Sequence, residues 1–361
     1  MPLVQLKGRG TSWAIEHRFS ASTRAEEDDG WGSLDQAVLE RRVPTATEVI
    51  EQRVKSILAA NDSPDIPFDL SINPYRGCEH GCIYCFARPT HGYLNLSPGL
   101  DFETRIVAKV NAAQRLREAL AAPGYRPLPL NLGSATDAYQ PVERRLRITR
   151  SVIEVLAEAR HAFSIVTKSS GIERDLDLLA PLAEARLVSV YVSVTTLDGT
   201  LARQMEARAP APERRLRTIE RLASAGVPVG VSVSPLIPFL NEPELERVLT
   251  QARDAGAVTA FATVLRLPWE VNPLFQQWLQ THYPQRAARV MARIRDLRGG
   301  RENDPRFGER MRGQGVWGAL LRQRFERATR GLGLDRQRIE LDGSRFRRPA
   351  LPGTPDQPCL F

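Results

Sequence analysis

The chain has 361 residues, 42% hydrophobic and 25% charged, with a formal net charge of +8. That balance belongs to a soluble globular chain with one sizeable core and excludes a disordered or fibrous one. Four cysteines in so long a chain exclude a disulfide scaffold. No apolar run is long enough to span a bilayer, and Met1 to Gly10 lacks the apolar stretch of a secretion signal. A cytoplasmic location and no membrane partner are therefore expected.

Residues 1–65 read as an irregular arm, with polar, turn-rich stretches at Gly8-Arg9-Gly10, Glu26 to Gly30 and Asn61 to Pro64. Within the arm, Val49, Ile50, Val54 and Leu58 predict a helix over Thr47 to Ala60. Residues 66–285 then alternate strand and helix. Strands are predicted over Ile66 to Ile72, Pro127 to Leu132, Phe163 to Thr167, Leu187 to Val194, Val227 to Val233 and Val258 to Leu265. Helices are predicted over Ile148 to Ala159, Arg174 to Ala185, Glu213 to Ala225 and Glu242 to Ala255, the last two closed by Gly226 and Gly256. Short apolar strands alternating with amphipathic helices imply an α/β fold with a parallel sheet of right-handed βαβ units. Six units suit a partial (β/α)6 barrel, with its chemistry at the carboxyl ends of the strands.

Residues 286–348 form a basic, largely helical extension, and 349–361 an exposed tail with four prolines. The extension holds eighteen Arg against eight Asp or Glu, a local net of +10, so the rest of the chain sums to −2. Such a block is the electrostatic footprint of a polyanion partner, nucleic acid above all. The whole chain has four Lys against 46 Arg, so composition bias is the competing reading.

The densest chemical signal is Gly77-Cys78-Glu79-His80-Gly81-Cys82-Ile83-Tyr84-Cys85-Phe86, with the spacing C-x3-C-x2-C. Three thiolates on one loop hold three corners of a 4Fe–4S cube and leave one iron open to bind and reduce a substrate. A structural zinc site is the alternative, with His80 or His91 as fourth ligand. The fourth cysteine, Cys359, lies far along the chain.

The cysteine spacing, with Tyr84 before the third cysteine, resembles the signature of the radical S-adenosylmethionine (SAM) superfamily. The segment Ser71 to His91 is similar to a bacterial group within it related to spore photoproduct lyase. The likeness continues through Gly133 to Glu143, Val166 to Ser169, Ser193 to Asp198, Gly226 to Gly230, Pro235 to Pro238, Leu265 to Pro268, Arg298 to Gly300 and Arg306 to Arg310. The resemblance implies a radical SAM enzyme with a 4Fe–4S cluster on Cys78, Cys82 and Cys85. Its open iron would chelate SAM, and one-electron reduction would give methionine and a 5′-deoxyadenosyl radical that abstracts hydrogen from the substrate.

Matched residue by residue, Gly133 and Ser134 fall where the superfamily contacts the SAM amino group, and Thr136 would add a hydroxyl. Lys168 matches the lysine for the SAM carboxylate, and Ser193 a strand-end serine at the same cofactor. Tyr84 and Phe86 would pack beside the adenine. Arg208 would bind a carboxylate or pair with Glu206. Tyr75 and Tyr139 would be radical relays or structural tyrosines. One departure stands out. The lyase returns hydrogen from a cysteine on the second-strand turn, and Gly133-Ser134-Ala135-Thr136-Asp137 has none.

Two functions follow as expectations: SAM cleavage acting on DNA or a nucleotide, as in repair, or a zinc- or cluster-stabilised nucleic-acid-binding protein without catalysis. The first requires a reductant such as flavodoxin or ferredoxin. The last five residues, with Gln357, Leu360 and Phe361, resemble the short peptide that docks repair proteins on the DNA polymerase sliding clamp.

Overall fold

The computed structural model describes residues 6–20, 46–335 and 339–351. Among these the strands are β1 (Glu48–Gln52), β2 (Leu58–Ala60), β3 (Leu70–Ile72), β4 (Tyr75–Arg76), β5 (Arg105–Lys109), β6 (Leu130–Leu132), β7 (Phe163–Thr167), β8 (Val188–Ser193), β9 (Val229–Leu236) and β10 (Thr259–Val264). The main sheet runs β10-β9-β8-β7-β6-β3-β2. Its strands from β3 to β10 pair in parallel, and β2 joins β3 antiparallel at the edge. This is the expected six parallel strands of a partial barrel, in the expected order.

Phe163 and Ile165 in β7, and Val188, Val190 and Val192 in β8, are fully buried at alternate positions that share one face of the sheet, and Ser189 and Ser193 of β8 are buried on the other, as in parallel sheets covered on both sides. The covering helices, among them Ile148–Glu158, Leu176–Glu184, Pro212–Ser224 and Leu245–Asp254, each bury one stripe; the last seats Leu245, Val248, Leu249 and Ala252. Gly226 and Gly256 follow two of these helices with φ of +77° and +103°, the left-handed turn that lets the chain reverse into β9 and β10.

Thr47 to Ala60 is not a helix. Val49 and Ile50 lie in β1, paired in parallel with Ile106 and Val107 of β5, and Leu58 lies in β2. A β-branched cluster favours extended backbone. Val54 between them turns on Asn111, whose side-chain amide accepts from its N–H at 2.8 Å and donates to its carbonyl at 2.9 Å. Part of the expected arm therefore belongs to the sheets. β5 and the helix Ala112–Ala121 are elements the sequence reading did not place. With β4, β1 and β5 make a second, three-stranded sheet that delivers the chain into the cysteine loop.

The carboxyl-terminal region carries the helices Val271–His282, Pro284–Leu297 and Gly315–Leu332. Much of its arginine is structural. Arg298 is 1% exposed and donates to the carbonyls of Val264, Leu265, Glu309 and Arg310. Arg324 bridges Glu242 and Glu246, Arg310 pairs with Asp65 at 2.6 Å, and Arg348 donates to the carbonyls of Ala122 and Pro123. Gln357, Leu360 and Phe361 lie outside the described residues.

Ile165 sits fully buried mid-sheet, so Ile165→Ala should destabilise the fold by about 2–5 kcal/mol. Equilibrium urea denaturation followed by circular dichroism checks this; a loss under ~1 kcal/mol would mean the centre of the sheet is not close-packed.

Candidate functional site

The cysteine loop starts where β4 ends. Gly77 has φ +78°, and a Cβ there would meet the Phe102 carbonyl at 2.9 Å, so only glycine fits. The Cys78 N–H donates to that same carbonyl at 2.8 Å. Arg88, fully buried, braces the far side. Its Nε donates to the Cys82 carbonyl at 2.8 Å, and its Nη1 reaches the carbonyls of Pro98 (3.2 Å) and Gly99 (2.9 Å). Its Nη2 pairs with Glu103, which also accepts from the Gly10 N–H at 2.8 Å. The segment at residues 6–20 is thereby strapped onto the loop.

Cys78 and Cys82 are buried and Cys85 is partly so. Burial pushes the Cys78 thiol well up, with Asp137 and the other two thiols adding to it. Burial pushes Cys82 to about 12 against the pull of Lys168, and it raises Cys85 too. Backbone N–H groups of His80 donate to the Cys78 sulfur, and those of Ala87 and Arg88 to the Cys85 sulfur. Three thiols buried on one loop are poor thiolates by themselves, but a cationic cluster deprotonates its ligands and N–H···S bonds then stabilise them. The donor set fits a 4Fe–4S group.

Opposite the loop lie the carboxyl ends of β6, β7 and β8. Gly133 follows β6 with φ +86°, and a Cβ would come within 3.1 Å of the Val166 carbonyl. Asn73 holds the turn, its amide donating to Ser134 Oγ at 3.2 Å and accepting from Ala135 N–H at 2.9 Å. Asp137 closes the turn onto β7 by accepting from Thr167 Oγ1 and the Lys168 N–H, both at 2.7 Å. It also lies 3.3 Å from His80 of the cysteine loop. Burial raises its carboxyl, but His80 and these donors outweigh that and hold it near 2.

Glu206 is the residue that sequence reading missed. Fully buried, it accepts from Tyr84 O–H, Thr195 Oγ1 (2.7 Å) and Arg215 Nη2, with Lys168 Nζ at 3.9 Å. Burial alone would raise its carboxyl; Arg215, Lys168 and Tyr84 bring it down to about 2. Lys168 is pushed up on balance: burial opposes its charge, and Cys82 and Glu206 favour it more strongly. In the sequence Glu206 stood out only as a neighbour with which Arg208 would pair, flanked directly by Met205 and Ala207.

Gly133 and Ser134, Lys168, and Ser193 thus lie at the carboxyl ends of β6, β7 and β8, and Lys168 interacts with Cys82 of the loop. Three other expectations are changed by the geometry. The Thr136 proton is given to the Tyr75 carbonyl at 3.0 Å, so its hydroxyl turns inward. Tyr84 is buried with its hydroxyl committed to Glu206, and only Phe86 stands at the surface. Arg208 pairs with Glu79 at 2.9 Å, not with Glu206, which takes Arg215. Tyr75 and Tyr139 are both buried, bonded to Glu143 and to Asp175 respectively. A cavity of about 990 Å³ lies behind the loop between residues 6–12 and the helices Gly199–Met205 and Val271–His282. It touches Ile83 but none of the expected cofactor residues.

A buried three-cysteine loop facing the strand ends of a partial parallel barrel defines an iron–sulfur enzyme of the radical type. The chain belongs to the radical SAM superfamily, whose family model matches residues 72–252. The superfamily uses a 4Fe–4S cluster and SAM. The chain is 36% identical over 277 residues to an uncharacterized protein of Mycobacterium tuberculosis, covering 75% of this chain and 80% of that one. It is 24% identical over 238 residues to an uncharacterized protein of Methanocaldococcus jannaschii, covering 66% and 85%. Among solved structures it resembles spore photoproduct lyase complexed with dinucleoside spore photoproduct, with a TM-score of 0.57, 13% identity and 79% of each chain covered. A mutant of that lyase with bound AdoMet and dinucleoside spore photoproduct aligns with a TM-score of 0.57 at 14% identity, again over 79% of each chain. The likeness is one of fold.

Glu206→Gln should destabilise the protein at pH 7 by about 3–5 kcal/mol, because Arg215 and Lys168 lose a buried counter-charge. The depressed carboxyl contributes in full above its ordinary value of 4.5 and loses that contribution as pH falls toward about 2. The deficit should therefore narrow between pH 7 and pH 3 in urea titrations. A deficit that stayed constant would show that Glu206 is not the anion of this site.

Proposed function

We propose that this enzyme cleaves SAM at a cluster held by Cys78, Cys82 and Cys85 and acts on DNA or a nucleotide, in a repair-like reaction. The observation that carries the site assignment is that the cysteine loop meets Lys168 on one buried carboxylate, Glu206, through Tyr84, and meets the Gly133 turn through the His80–Asp137 pair. With both groups bound, the cluster and SAM supply a 5′-deoxyadenosyl radical for hydrogen abstraction.

The protein's own residues do the positioning. The Gly133–Ser134 backbone lies open to close approach by the SAM amino group, and Lys168 presents a charged donor to its carboxylate. Ser193 lies at the end of β8, and Phe86 stands ready for the adenine. Tyr84 and Arg208 serve the site indirectly, Tyr84 through Glu206 and Arg208 by fixing Glu79 beneath the loop. Burial of the loop under residues 6–20 excludes water from the radical's surroundings. No thiol occupies Gly133 to Asp137, so any hydrogen return runs by a route other than the lyase's.

The nucleic-acid reading rests on the fold shared with an enzyme bound to a dinucleoside photoproduct and on the arginines that remain outside the ion pairs. Arg301, Arg312, Arg327 and Arg330 have no carboxylate partner among the described residues. Arg345, by contrast, is paired with Asp342. A flavodoxin- or ferredoxin-class reductant and a sliding clamp reached through Gln357, Leu360 and Phe361 complete the proposed partners.

Cys78→Ala, Cys82→Ala or Cys85→Ala should each remove the cluster's visible absorption, while Cys359→Ala keeps it; bleaching by Cys359→Ala would mean a four-thiolate cluster. Lys168→Ala should keep the absorption and weaken SAM binding about tenfold or more, read by equilibrium titration.

The function itself is tested by assaying 5′-deoxyadenosine from dithionite-reduced enzyme with and without DNA. DNA should stimulate its formation, and DNA affinity should fall steeply with salt. SAM cleavage indifferent to DNA, together with no binding at low salt, would move the substrate outside nucleic acids.

A further inference from the structure

Five aromatic side chains among the described residues are large, apolar and exposed: Phe19, Phe86, Tyr93, Trp269 and Phe307, between 50% and 68% exposed. All the other described aromatics are covered to a greater degree. These five are not scattered. The Arg18 guanidinium lies 4.2 Å from the Trp269 ring, 4.5 Å from Phe19 and 5.6 Å from Tyr93, tying three of them into one cluster. Trp269 is three residues beyond Arg266, whose guanidinium lies 5.7 Å from the Phe86 ring. Arg266 is close enough to Arg310 for the two charges to repel, and Arg310 sits 4.5 Å from Phe307. Two groups result, Phe19, Tyr93 and Trp269 about Arg18, and Phe86 and Phe307 about Arg266 and Arg310; the short stretch from Arg266 to Trp269 joins them, and Phe86 follows Cys85 directly.

The placement is specific. Arg266 and Trp269 lie on the loop leaving the carboxyl end of β10, and Tyr93 on the turn Arg88–Leu94 that continues the cysteine loop. Trp269 holds φ +45°, a left-handed conformation uncommon for a bulky residue, which leaves its ring at the surface. Two of the three arginines already have carboxylates: Arg18 pairs with Glu270 at 3.2 Å and Arg310 with Asp65. Phosphate attraction along this strip is therefore partly cancelled. What it offers an incoming chain is ring faces, polarised by stacked guanidinium groups.

We propose that this strip is a stacking platform for unpaired nucleobases, on which a single-stranded or locally opened nucleic acid lies with its bases on Trp269 and Tyr93. Aromatic faces interleaved with arginine form the surface that binds single strands without reading sequence, since every base offers a π-face. A chain held there is led toward Cys85. The proposal rests on the nucleic-acid reading above and adds to it the form of the polymer and the residues that hold it.

The test uses full-length protein and fluorescence anisotropy with three labelled probes of equal length: a single strand, the same strand made fully abasic, and the duplex. The single strand should bind more tightly than the other two. Trp269→Ala and Tyr93→Ala should each weaken the single strand about tenfold and leave the abasic strand unchanged, while Trp269→Phe keeps most of the affinity. The abasic strand and circular dichroism report whether a variant has misfolded. Equal affinity of the unaltered protein for single and abasic strands, or no loss in Trp269→Ala, would overturn the platform while leaving nucleic-acid binding in place. No binding to any probe at low salt would overturn both.

Discussion

The site depends on one buried anion. Glu206 sits at no exposed surface, yet it contacts groups from four separate places in the chain: Tyr84 of the cysteine loop, Lys168 after β7, Thr195 after β8 and Arg215 of the helix Pro212–Ser224. A carboxylate taken out of water is tolerated only where donors replace its hydration. These four groups supply them, and each is held in place by supplying them. The loop, Lys168 and the ends of the strands are thus fixed relative to one another before any cofactor arrives. That is the condition for a radical site, where a reactive atom must meet its target at a set distance.

A second buried pair, Arg88–Glu103, does for the outside of the loop what Glu206 does for the inside. Arg88 spends its donors on loop and turn carbonyls, and Glu103 takes the Gly10 N–H from the amino-terminal segment. Gly81, at φ +65°, admits that contact because a Cβ would lie 2.7 Å from Glu103 Oε2. The three cysteines are held between the two pairs. Both pairs are ionic rather than apolar, and this has a chemical logic: a loop that must surround a charged cluster cannot be anchored by hydrocarbon alone, because thiolates need donors close by.

How much of this the sequence carried follows from how local each signal is. The parallel strands β6 to β10 and their helices were legible because their apolar periods are complete within single segments, as in Phe163 to Thr167 and Leu245 to Asp254. The cysteine loop was legible because its chemistry is carried by residue type and spacing; Gly133 and Lys168 were placed by their position just after strands and by the family resemblance. Thr47 to Ala60 was misread since the residues the helix rested on, Val49, Ile50, Val54 and Leu58, fit either period; the decision came from Asn111 and β5, far along the chain. Glu206 was passed over for the same reason. Nothing within its own neighbours reveals that Tyr84, Lys168 and Arg215 will surround it. Arg208 looked like its natural partner by proximity in sequence, and the fold gave Arg208 to Glu79 instead.

The basic extension shows why net charge alone says little about partners. Of its arginines, Arg298 is used to cap backbone carbonyls, Arg324 and Arg310 tie helix and loop to the barrel, and Arg348 pins the chain to Pro123. Each is spent on the fold itself, and the buried Arg298 satisfies carbonyls that would otherwise lack partners. For the nucleic acid proposed above, what remains is Arg301, Arg312, Arg327 and Arg330, without a carboxylate partner among the described residues, and a strip with two of its three arginines ion-paired and its rings half exposed. Under that proposal, long-range attraction is weaker than a net of +10 suggests, and close-range stacking would carry more of the recognition. Such a division suits an enzyme that must hold an opened strand beside a reactive site more than one that grips an intact duplex.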